Sequence, residues 1–237
     1  MVDVGVIGWS GIFKGDARKV KTDYGAAEVA IADVCGRKIA VIARHGRKHD
    51  VPPHGVNYKA NMAAMKKTGV KFVIGTAACG SITRYGLGDI VLVRDFIGFH
   101  LGLVTFFDKK FSVETGHVDM HEPYDPGLCS AIVKAARKEG VPLKDGGIIA
   151  GTVGPRFETK AEIEAFRRMG ANLVNMTNVY EAVLANELGL RYAALAVVTN
   201  PATGTSRKPP GWRDAIRIFK KRIAPLKRII SATVGLV

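Results

Sequence analysis

A basic hexapeptide, Arg44-His45-Gly46-Arg47-Lys48-His49, directly follows a short apolar run of the chain. The planar fork of an arginine holds phosphate oxygens bidentately, and a histidine adds a further hydrogen-bond donor. A second apolar run ends at Gly8-Trp9-Ser10-Gly11, where small residues let backbone amides and a hydroxyl approach an anion closely. The two segments predict an anion site, with a solvated basic turn and a structural glycine turn as the alternatives.

Metal binding is disfavoured by the residues around the histidines and cysteines. Gly, Arg and Lys separate His45 from His49, whereas a His-Glu-x-x-His zinc motif would supply a carboxylate there. Cys35, Cys79 and Cys129 contain no Cys-x-x-Cys pair and are too scattered for a disulfide scaffold, although a single disulfide stays open. We therefore predict no metal site.

Short β-branched runs alternate along the chain with stretches of 3.6-residue periodicity. The predicted strands cover residues 4–7, 38–42, 71–75, 89–93, 147–150, 172–176 and 192–199, and the predicted helices cover 57–67, 128–138, 160–169, 180–187 and 215–230. This alternation predicts an α/β fold with a mixed, mainly parallel central sheet flanked by helices. Ligands then gather at the carboxyl ends of strands, which places both basic and glycine-containing segments at one edge.

Two stretches lack a regular period. Residues 99–124, which contain His100, His117 and His121, are expected to form a lid, an inserted hairpin or a subunit contact. Residues 203–211, rich in Gly, Pro and basic residues, predict a loop before the last helix.

Length and composition indicate one packed domain covering residues 1–237, since 47% of the residues are hydrophobic and 24% are charged. No apolar run approaches the roughly 20 residues of a membrane span. The first strand begins almost at Met1, which leaves no room for a signal peptide and predicts a cytoplasmic protein. The net charge of +14 is spread over several segments without interleaved aromatics. It favours a solvated surface over specific nucleic-acid binding, and an RNA- or nucleotide-binding α/β protein is the alternative.

Six separated segments resemble, in order, the motifs of methylthioadenosine phosphorylases within the purine nucleoside phosphorylase family. They lie at residues 43–49, 56–61, 76–81, 154–157, 175–177 and 181–185, and the similarity covers essentially the whole chain. The resemblance implies the nucleoside phosphorylase fold and the conversion of a nucleoside and phosphate to a free base and ribose 1-phosphate. Ser10 stands where this branch usually has Thr, and Tyr180 replaces a common Pro.

The same resemblance implies the site residues. The phosphate would contact Ser10, Arg44, His45, the Ala77 backbone and Thr177, and the purine would contact Phe157, Met176, Asn200, Pro201 and Ala202. It also implies that no metal or organic cofactor is required and that the chain forms a trimer or a dimer of trimers. His117 would then complete the sugar pocket of a neighbouring subunit, and His49 would line the 5′ side. For both histidines an ordinary hydrogen-bonded role is the alternative.

Two residues predict which purine is bound. Asn200 and Ala202 stand where the methylthioadenosine branch has two Asp residues, and an Asn amide can donate toward N7 or O6. Glu158 can accept from the N1 hydrogen of hypoxanthine or guanine, whereas adenine N1 is itself an acceptor. Together they favour a 6-oxopurine, although Glu158 as a helix-start carboxylate and Asn200 as a turn residue are the alternatives.

The alternative activity is cleavage of methylthioadenosine or methylthioinosine. The 5′ pocket of such an enzyme should be apolar near residues 212–217, where the sequence has Arg213 and Arg217. Inosine and guanosine are therefore the favoured substrates at this stage.

Overall fold

The computed structural model describes residues 2–98, 101–102, 104–108 and 111–237, and only the backbone at position 115. The strands are β1 (Val4–Gly8), β2 (Asp16–Thr22), β3 (Gly25–Val34), β4 (Arg37–Ala43), β5 (Phe72–Ser81), β6 (Ile90–Ile97), β7 (Lys144–Gly151), β8 (Leu173–Asn175) and β9 (Arg191–Pro201). The helices are α1 (Tyr58–Lys67), α2 (Val113–Gly116), α3 (Pro126–Lys138), α4 (Lys160–Arg168), α5 (Asn178–Glu187) and α6 (Trp212–Val234). All strands and helices that the sequence predicts occur.

The described strands form one mixed sheet in the order β2-β3-β4-β1-β5-β8-β7-β6-β9. β1 is parallel to β4 and β5, β5 is parallel to β9, and β7 is parallel to β6 and β8. The remaining pairings are antiparallel. Helices pack along this sheet, α1 against β3 and α6 against β9. The predicted fold class is therefore confirmed.

One feature of the sheet is absent from the sequence prediction. β5 pairs with β9 as well as with β8, so β5, β8, β7, β6 and β9 close into a ring of strands. The rest of the sheet extends from this ring through β1 and β4. Closure removes free edges on that side of the sheet and holds the ends of β5, β8 and β9 close together.

The β2 and β3 hairpin is also missing from the prediction. β2 pairs only with β3, from Asp16 opposite Ile31 to Thr22 opposite Gly25, and most of its side chains are exposed. A strand with little buried surface lacks the apolar run by which the other strands are recognised. Its charged side chains, including Arg18 and Lys19, suit an edge strand because charge hinders pairing with another chain.

The two irregular stretches differ in outcome. Residues 202–211 contain neither helix nor strand, which confirms the predicted loop before α6. Within residues 99–124, the described part contains a 3₁₀ turn at Phe106–Asp108 and the short α2, without a strand, so the hairpin alternative is wrong for that part. Phe99 and His100 lie outside the described residues. Across the described chain, no helix is both long enough and apolar enough to cross a membrane.

Candidate active site

A cavity of about 530 Å³ lies where the sequence predicts a ligand site, at the carboxyl ends of β1, β4 and β9. β5 contributes the wall from Thr76 to Gly80, and another wall forms where β8 ends and α5 begins. Nine of the predicted site residues line this cavity: Arg44, His45, His49, Ala77, Phe157, Glu158, Met176, Thr177 and Asn200. Sequence motifs spread over more than 150 positions therefore meet in one place.

Four predicted site residues do not line the cavity in this chain. Ser10 lies in the turn after β1, next to the lining residue Trp9, and Pro201 is the last residue of β9. Ala202 is buried in a small apolar cluster with Ile163 and Phe166 because the chain turns inward after β9, and its N–H donates to the Ser81 carbonyl. His117 is exposed, and its ring forms a T-shaped pair with the ring of Phe111.

Arg44 follows β4 directly, and its side chain is only 2% exposed. Its Nε and one Nη donate to the two carboxylate oxygens of Glu181, the latter at 2.7 Å. The guanidinium also donates to the backbone oxygens of Thr76 (2.8 Å) and Ile7 (3.4 Å). A guanidinium has five N–H donors, so these four contacts leave one N–H for a ligand. Arg44 is therefore less available to an anion than the sequence suggests.

Glu181 is a residue whose role the sequence does not reveal. It lies on the first turn of α5, is fully buried, and accepts a hydrogen bond from the Tyr192 hydroxyl at 2.7 Å. The Asn178 amide donates to the same hydroxyl at 3.0 Å. Burial by itself lowers the pKa of Arg44, but the Glu181 carboxylate outweighs this effect and raises that pKa above its usual value. The Arg44 guanidinium therefore stays charged in the folded protein.

Gly75 on β5 makes room for this buried network. A Cβ atom at position 75 would lie 2.1 Å from the Tyr192 hydroxyl oxygen, which is far inside contact distance. The glycine thus lets Tyr192 cross β5 and reach Glu181. Burial, followed by the Glu181 charge, raises the pKa of Tyr192 well above its usual value, so the hydroxyl stays protonated and donates.

His45 and His49 lie side by side at the end of the cavity near Arg44, with ring centroids 4.9 Å apart. His45 Nδ1 is 2.8 Å from the carbonyl oxygen of Val51. Burial and then the nearby Arg44 charge lower the pKa of His45 to about 4, and the same causes lower the pKa of His49. Both imidazoles are therefore neutral at physiological pH.

An aromatic wall closes the cavity beside the histidines. The His49 ring lies between Trp9 and Trp212, with centroid distances of 4.4 and 5.4 Å, and Trp9 stacks on Phe219 at 5.0 Å. Arg213 is exposed at the start of α6, and Arg217 pairs with Asp214. Neither arginine lines the cavity within the described chain. This wall is therefore apolar, contrary to what Arg213 and Arg217 suggest in the sequence.

Glu158 is placed to present a carboxylate to the cavity. It is only 5% exposed, and its Oε1 accepts a hydrogen bond from the Thr152 hydroxyl at 2.8 Å. The start of α4 is capped by Thr159 and Glu162 through reciprocal hydrogen bonds. The cap is thus supplied by this neighbouring pair, and Glu158, one residue before the N-cap, lines the cavity instead of capping the helix.

Asn200 lies near the end of β9, opposite Gly80 of β5. Its Oδ1 accepts from the Thr199 hydroxyl at 3.0 Å, and its Nδ2 donates to the Pro201 carbonyl at 2.9 Å. One N–H of the amide is left for a ligand, since a side-chain amide has two. Asn200 thus makes the hydrogen bonds expected of a turn residue and also lines the cavity, as expected of a purine contact.

Asn175 shapes the junction between β8 and α5. Its Oδ1 accepts from the backbone N–H groups of Thr177 and Asn178, both at 2.8 Å, and its Nδ2 donates to the Ala78 carbonyl. The sequence motif includes Asn175 but assigns it no role. The structure shows that it fixes the backbone that carries Met176 and Thr177 on the cavity wall.

Tyr58, at the start of α1, joins two walls of the cavity. Its hydroxyl lies 2.9 Å from the Pro53 carbonyl and 3.3 Å from the Met176 carbonyl, and its ring stacks on Tyr180 at 4.9 Å. Tyr180 therefore packs on the ring of Tyr58, at the position where the methylthioadenosine phosphorylases commonly have Pro.

In the described part of the chain, no group of three or more His, Cys, Asp or Glu side chains could hold a metal ion.

Comparison with known proteins assigns this chain to a family. The family model described as the phosphorylase superfamily matches residues 14–234, and the chain belongs to that family. The chain is 37% identical to the 6-oxopurine nucleoside phosphorylase of Pyrococcus furiosus, covering 100% of this chain and 94% of that protein. It is 44% identical to a probable S-methyl-5′-thioinosine phosphorylase of Methanopyrus kandleri, covering 86% and 80%.

A solved structure is similar over the whole chain. Methylthioadenosine phosphorylase from Schistosoma mansoni in complex with adenine superposes with a TM-score of 0.90 at 29% identity. The match covers 100% of this chain and 91% of that one. The nucleoside phosphorylase fold that the sequence motifs imply is therefore confirmed.

Proposed function

We propose that this chain is a purine nucleoside phosphorylase, a pentosyltransferase that reversibly converts inosine or guanosine and phosphate to the free base and ribose 1-phosphate. The observation that carries the proposal is that Glu158 and Asn200 line the same cavity as Arg44 and Thr177. The same cavity thus offers groups suited to a 6-oxopurine and groups suited to an anion. The activity is that for which the Pyrococcus furiosus relative is named.

The reaction requires charge to be stabilised at two places. Departure of the purine builds positive charge on the sugar, and a phosphate held beneath the anomeric carbon stabilises this charge and then captures the carbon. Arg44, Thr177 and the Ala77 backbone orient the phosphate with His45. Ser10, which does not line the cavity in this structure, would contact the phosphate by turning its hydroxyl inward from the turn after β1. Asn200 donates toward N7 or O6 of the leaving purine, while Phe157 and Met176 pack on its face.

Glu158 provides the discrimination between purines. With Oε1 occupied by Thr152, Oε2 is left to accept from the N1 hydrogen of hypoxanthine or guanine. Adenine would set a nitrogen lone pair against this carboxylate. An unpaired buried polar group costs about 1–3 kcal/mol, which corresponds to a tenfold to hundredfold preference for the 6-oxopurine.

A second candidate activity is phosphorolysis of 5′-methylthioinosine. The observation that favours it is the apolar wall of Trp9, Trp212 and Phe219. This wall lies beside the residues proposed to bind phosphate, where the 5′ substituent of the sugar would lie. Burying a methylthio group against such a wall costs less free energy than burying a hydroxyl, which would lose its hydrogen bonds to water. Both candidates share the 6-oxopurine contacts, so they differ only in the 5′ substituent.

The test is a phosphate-dependent assay with inosine, guanosine, adenosine and the 5′-methylthio analogues. We expect cleavage of the 6-oxopurine nucleosides that requires phosphate or arsenate, with a much lower kcat/KM for adenosine. Equal rates in phosphate-free buffer would indicate a hydrolase instead. The ratio of kcat/KM for methylthioinosine to that for inosine decides between the two candidates.

For the molecule as a whole, the proposal includes a cytoplasmic homotrimer or dimer of trimers that needs no metal or organic cofactor. Phe111 (57% exposed) and Val113 (72% exposed) lie near His117 and support a subunit contact there, since exposed apolar clusters often mark interfaces. His117 would then complete the sugar pocket of the neighbouring subunit. Nucleoside and phosphate are the ligands, without a specific nucleic-acid partner.

A further inference from the structure

His45 is fixed in one orientation by the backbone. Its Nδ1 lies 2.8 Å from the carbonyl oxygen of Val51, and a carbonyl oxygen only accepts, so Nδ1 must carry the hydrogen. In the neutral ring the other nitrogen, Nε2, then carries a lone pair and no hydrogen. Nε2 forms no hydrogen bond with any described residue, and the His45 side chain lines the cavity.

The neighbouring charges keep this ring neutral. Burial is the largest cause that lowers the pKa of His45 to about 4, and the positive charge of Arg44 follows. The Val51 carbonyl acts in the opposite direction, and His49, the other titratable neighbour, lowers the pKa further. Arg44 stays charged because it is paired with Glu181. Protonation of His45 is thus opposed both by the burial of its ring and by the positive charge of Arg44.

From this geometry we infer that His45 acts as a hydrogen-bond acceptor toward phosphate, so that the site takes the anion as monohydrogen phosphate with its P–O–H directed at Nε2. The inference rests on the proposed function, and it reverses the donor role that the sequence suggests for His45. The oxygens without hydrogen then face the remaining N–H of Arg44 and the Ala77 backbone. The Thr177 hydroxyl, which donates to Asn175 Oδ1 at 3.2 Å in this structure, would turn to the anion as a further donor. One of these oxygens is free to attack the anomeric carbon.

A selectivity among anions follows from this arrangement. Arsenate carries the same hydrogen as phosphate, whereas sulfate carries none near neutral pH. Sulfate would set an oxygen lone pair against Nε2, and the two acceptors would repel each other at this partly buried imidazole. A buried mismatch of this kind weakens binding by about tenfold to a hundredfold.

The first measurement uses the wild-type chain. Phosphate and arsenate affinities, and the inhibition constant of sulfate, are determined by calorimetry and by competition in the inosine assay at slightly alkaline pH. We expect sulfate to bind about tenfold to a hundredfold more weakly than phosphate, with arsenate close to phosphate. Equal affinity for sulfate and phosphate would overturn the inference.

Proton counting separates an acceptor from a donor at position 45. Calorimetric titration of phosphate is repeated in buffers of different ionisation enthalpy, at a pH where monohydrogen phosphate predominates. We expect no net proton uptake, because the anion arrives with its hydrogen and His45 stays neutral. Uptake of close to a full proton per site, lost in His45→Asn, would show that His45 becomes an imidazolium donor and would overturn the inference.

A variant pair tests the residue itself. In His45→Gln the terminal amide reaches the place of Nε2 and can turn an N–H toward sulfate, so the ratio of sulfate to phosphate binding constants should fall toward unity. His121→Gln, an exposed histidine outside the cavity lining, is the matched control and should keep the wild-type ratio. An unchanged ratio in His45→Gln would contradict the inference. Should this variant fail to fold, the wild-type titrations still decide.

The binding measurements also separate this inference from the proposed function. A chain that prefers phosphate to sulfate without nucleoside but does not cleave inosine would overturn the proposed function alone. A chain that cleaves inosine but binds both anions equally would overturn the inference alone. Discrimination that appears only with nucleoside present would mean that a sugar hydroxyl donates to Nε2, and it would likewise overturn the inference.

Discussion

Arg44 has two functions that its buried environment links. It forms an ion pair with Glu181 in which both side chains are at most 2% exposed, and it lines the cavity with one N–H left after its contacts to Glu181, Thr76 and Ile7. Breaking a buried pair by removing one partner leaves an uncompensated charge, whereas replacing both partners with apolar residues of similar size is often tolerated. Stability and phosphate binding can therefore be separated by substitution.

Arg44→Ala should lower the free energy of unfolding by about 3–5 kcal/mol and raise the KM for phosphate, because it strands the Glu181 carboxylate and removes an anion contact. The double variant Arg44→Met with Glu181→Met should recover much of the stability without restoring the phosphate KM. Denaturant unfolding and inosine kinetics at varied phosphate measure both effects. A double variant with a wild-type phosphate KM would remove Arg44 from the phosphate site.

Glu158 and Asn200 should together set the purine preference. In Glu158→Gln the amide can donate to adenine N1, so the preference for inosine over adenosine should fall by about 1–3 kcal/mol, chiefly through lost activity on inosine. Asn200→Asp should reduce inosine turnover by weakening the donor to the leaving base. The matched control is Glu164→Gln on α4, whose side chain is 43% exposed, pairs with Arg167 and lies outside the cavity lining. Unchanged kcat/KM ratios in both cavity variants would place the purine elsewhere.

At the scale of elements, the start of α1 holds the cavity walls through Tyr58. Tyr58→Phe keeps the ring that stacks on Tyr180 but removes the hydroxyl that contacts the Pro53 and Met176 carbonyls. We expect a loss of about 1 kcal/mol in stability and a higher KM for both phosphate and nucleoside, because the Met176 wall and the loop before α1 are no longer joined. Tyr180→Phe, measured alongside, should leave both KM values near wild type.

The start of α4 gives a prediction in which stability and specificity separate. Thr159→Ala removes the helix cap and should lower the free energy of unfolding by about 1 kcal/mol with little change in purine preference. Thr152→Val removes the hydrogen bond that orients Glu158 and should change the inosine-to-adenosine ratio of kcat/KM. Thermal or denaturant unfolding and parallel kinetics test the pair. The opposite pattern would mean that the cap, and not Thr152, positions Glu158.

For the whole molecule, the buried neutral histidines predict how stability depends on pH. The pKa of His45 falls from 6.5 to about 4 on folding, and that of His49 is also lowered. Between these values the unfolded chain binds more protons, so the free energy of unfolding should decrease as the pH falls from about 6.5 toward 4. His45→Asn should flatten this part of the profile, as measured by denaturant unfolding at a series of pH values. A wild-type profile without a slope there would show that His45 is accessible and not neutralised by burial.

The acidic side of the same profile has another cause. The pKa values of Glu162 and Glu164 are lowered to about 2, first by hydrogen bonds from Arg156 and Arg167 respectively. A carboxyl group whose pKa is lowered on folding stabilises the fold at pH values above about 4.5, and this stabilisation is lost as the pH falls further. These groups therefore add to the pH dependence of the unfolding free energy only in stronger acid. Both pairs are exposed and contribute little. The slope between pH 6.5 and 4.5 therefore reports mainly on the histidines.

The sequence by itself determines the features that depend on local pattern. Apolar runs and 3.6-residue periodicity define the predicted strands and helices, and the carboxyl-end rule places Arg44, Ala77 and Asn200 at one edge because parallel strands end together. The residue types at these ends then predict an anion site, and the resemblance to the phosphorylase family implies the purine site. Glu158 and Asn200 are sufficient to favour a 6-oxopurine because hydrogen-bond donors and acceptors are properties of the side chains themselves.

The tertiary structure alone decides which of these groups remain free to act. Arg44 and Glu181 are 137 positions apart, and only the fold makes them partners and leaves Arg44 with one free N–H. The Val51 carbonyl selects the hydrogen-bearing nitrogen of His45, the Trp9 and Phe219 rings make the cavity wall beside His49 apolar, and the turn after β9 buries Ala202. The pairing of β5 with β9 is likewise decided only by the tertiary structure. Each depends on distances between atoms far apart in the chain, which residue types and spacing do not specify.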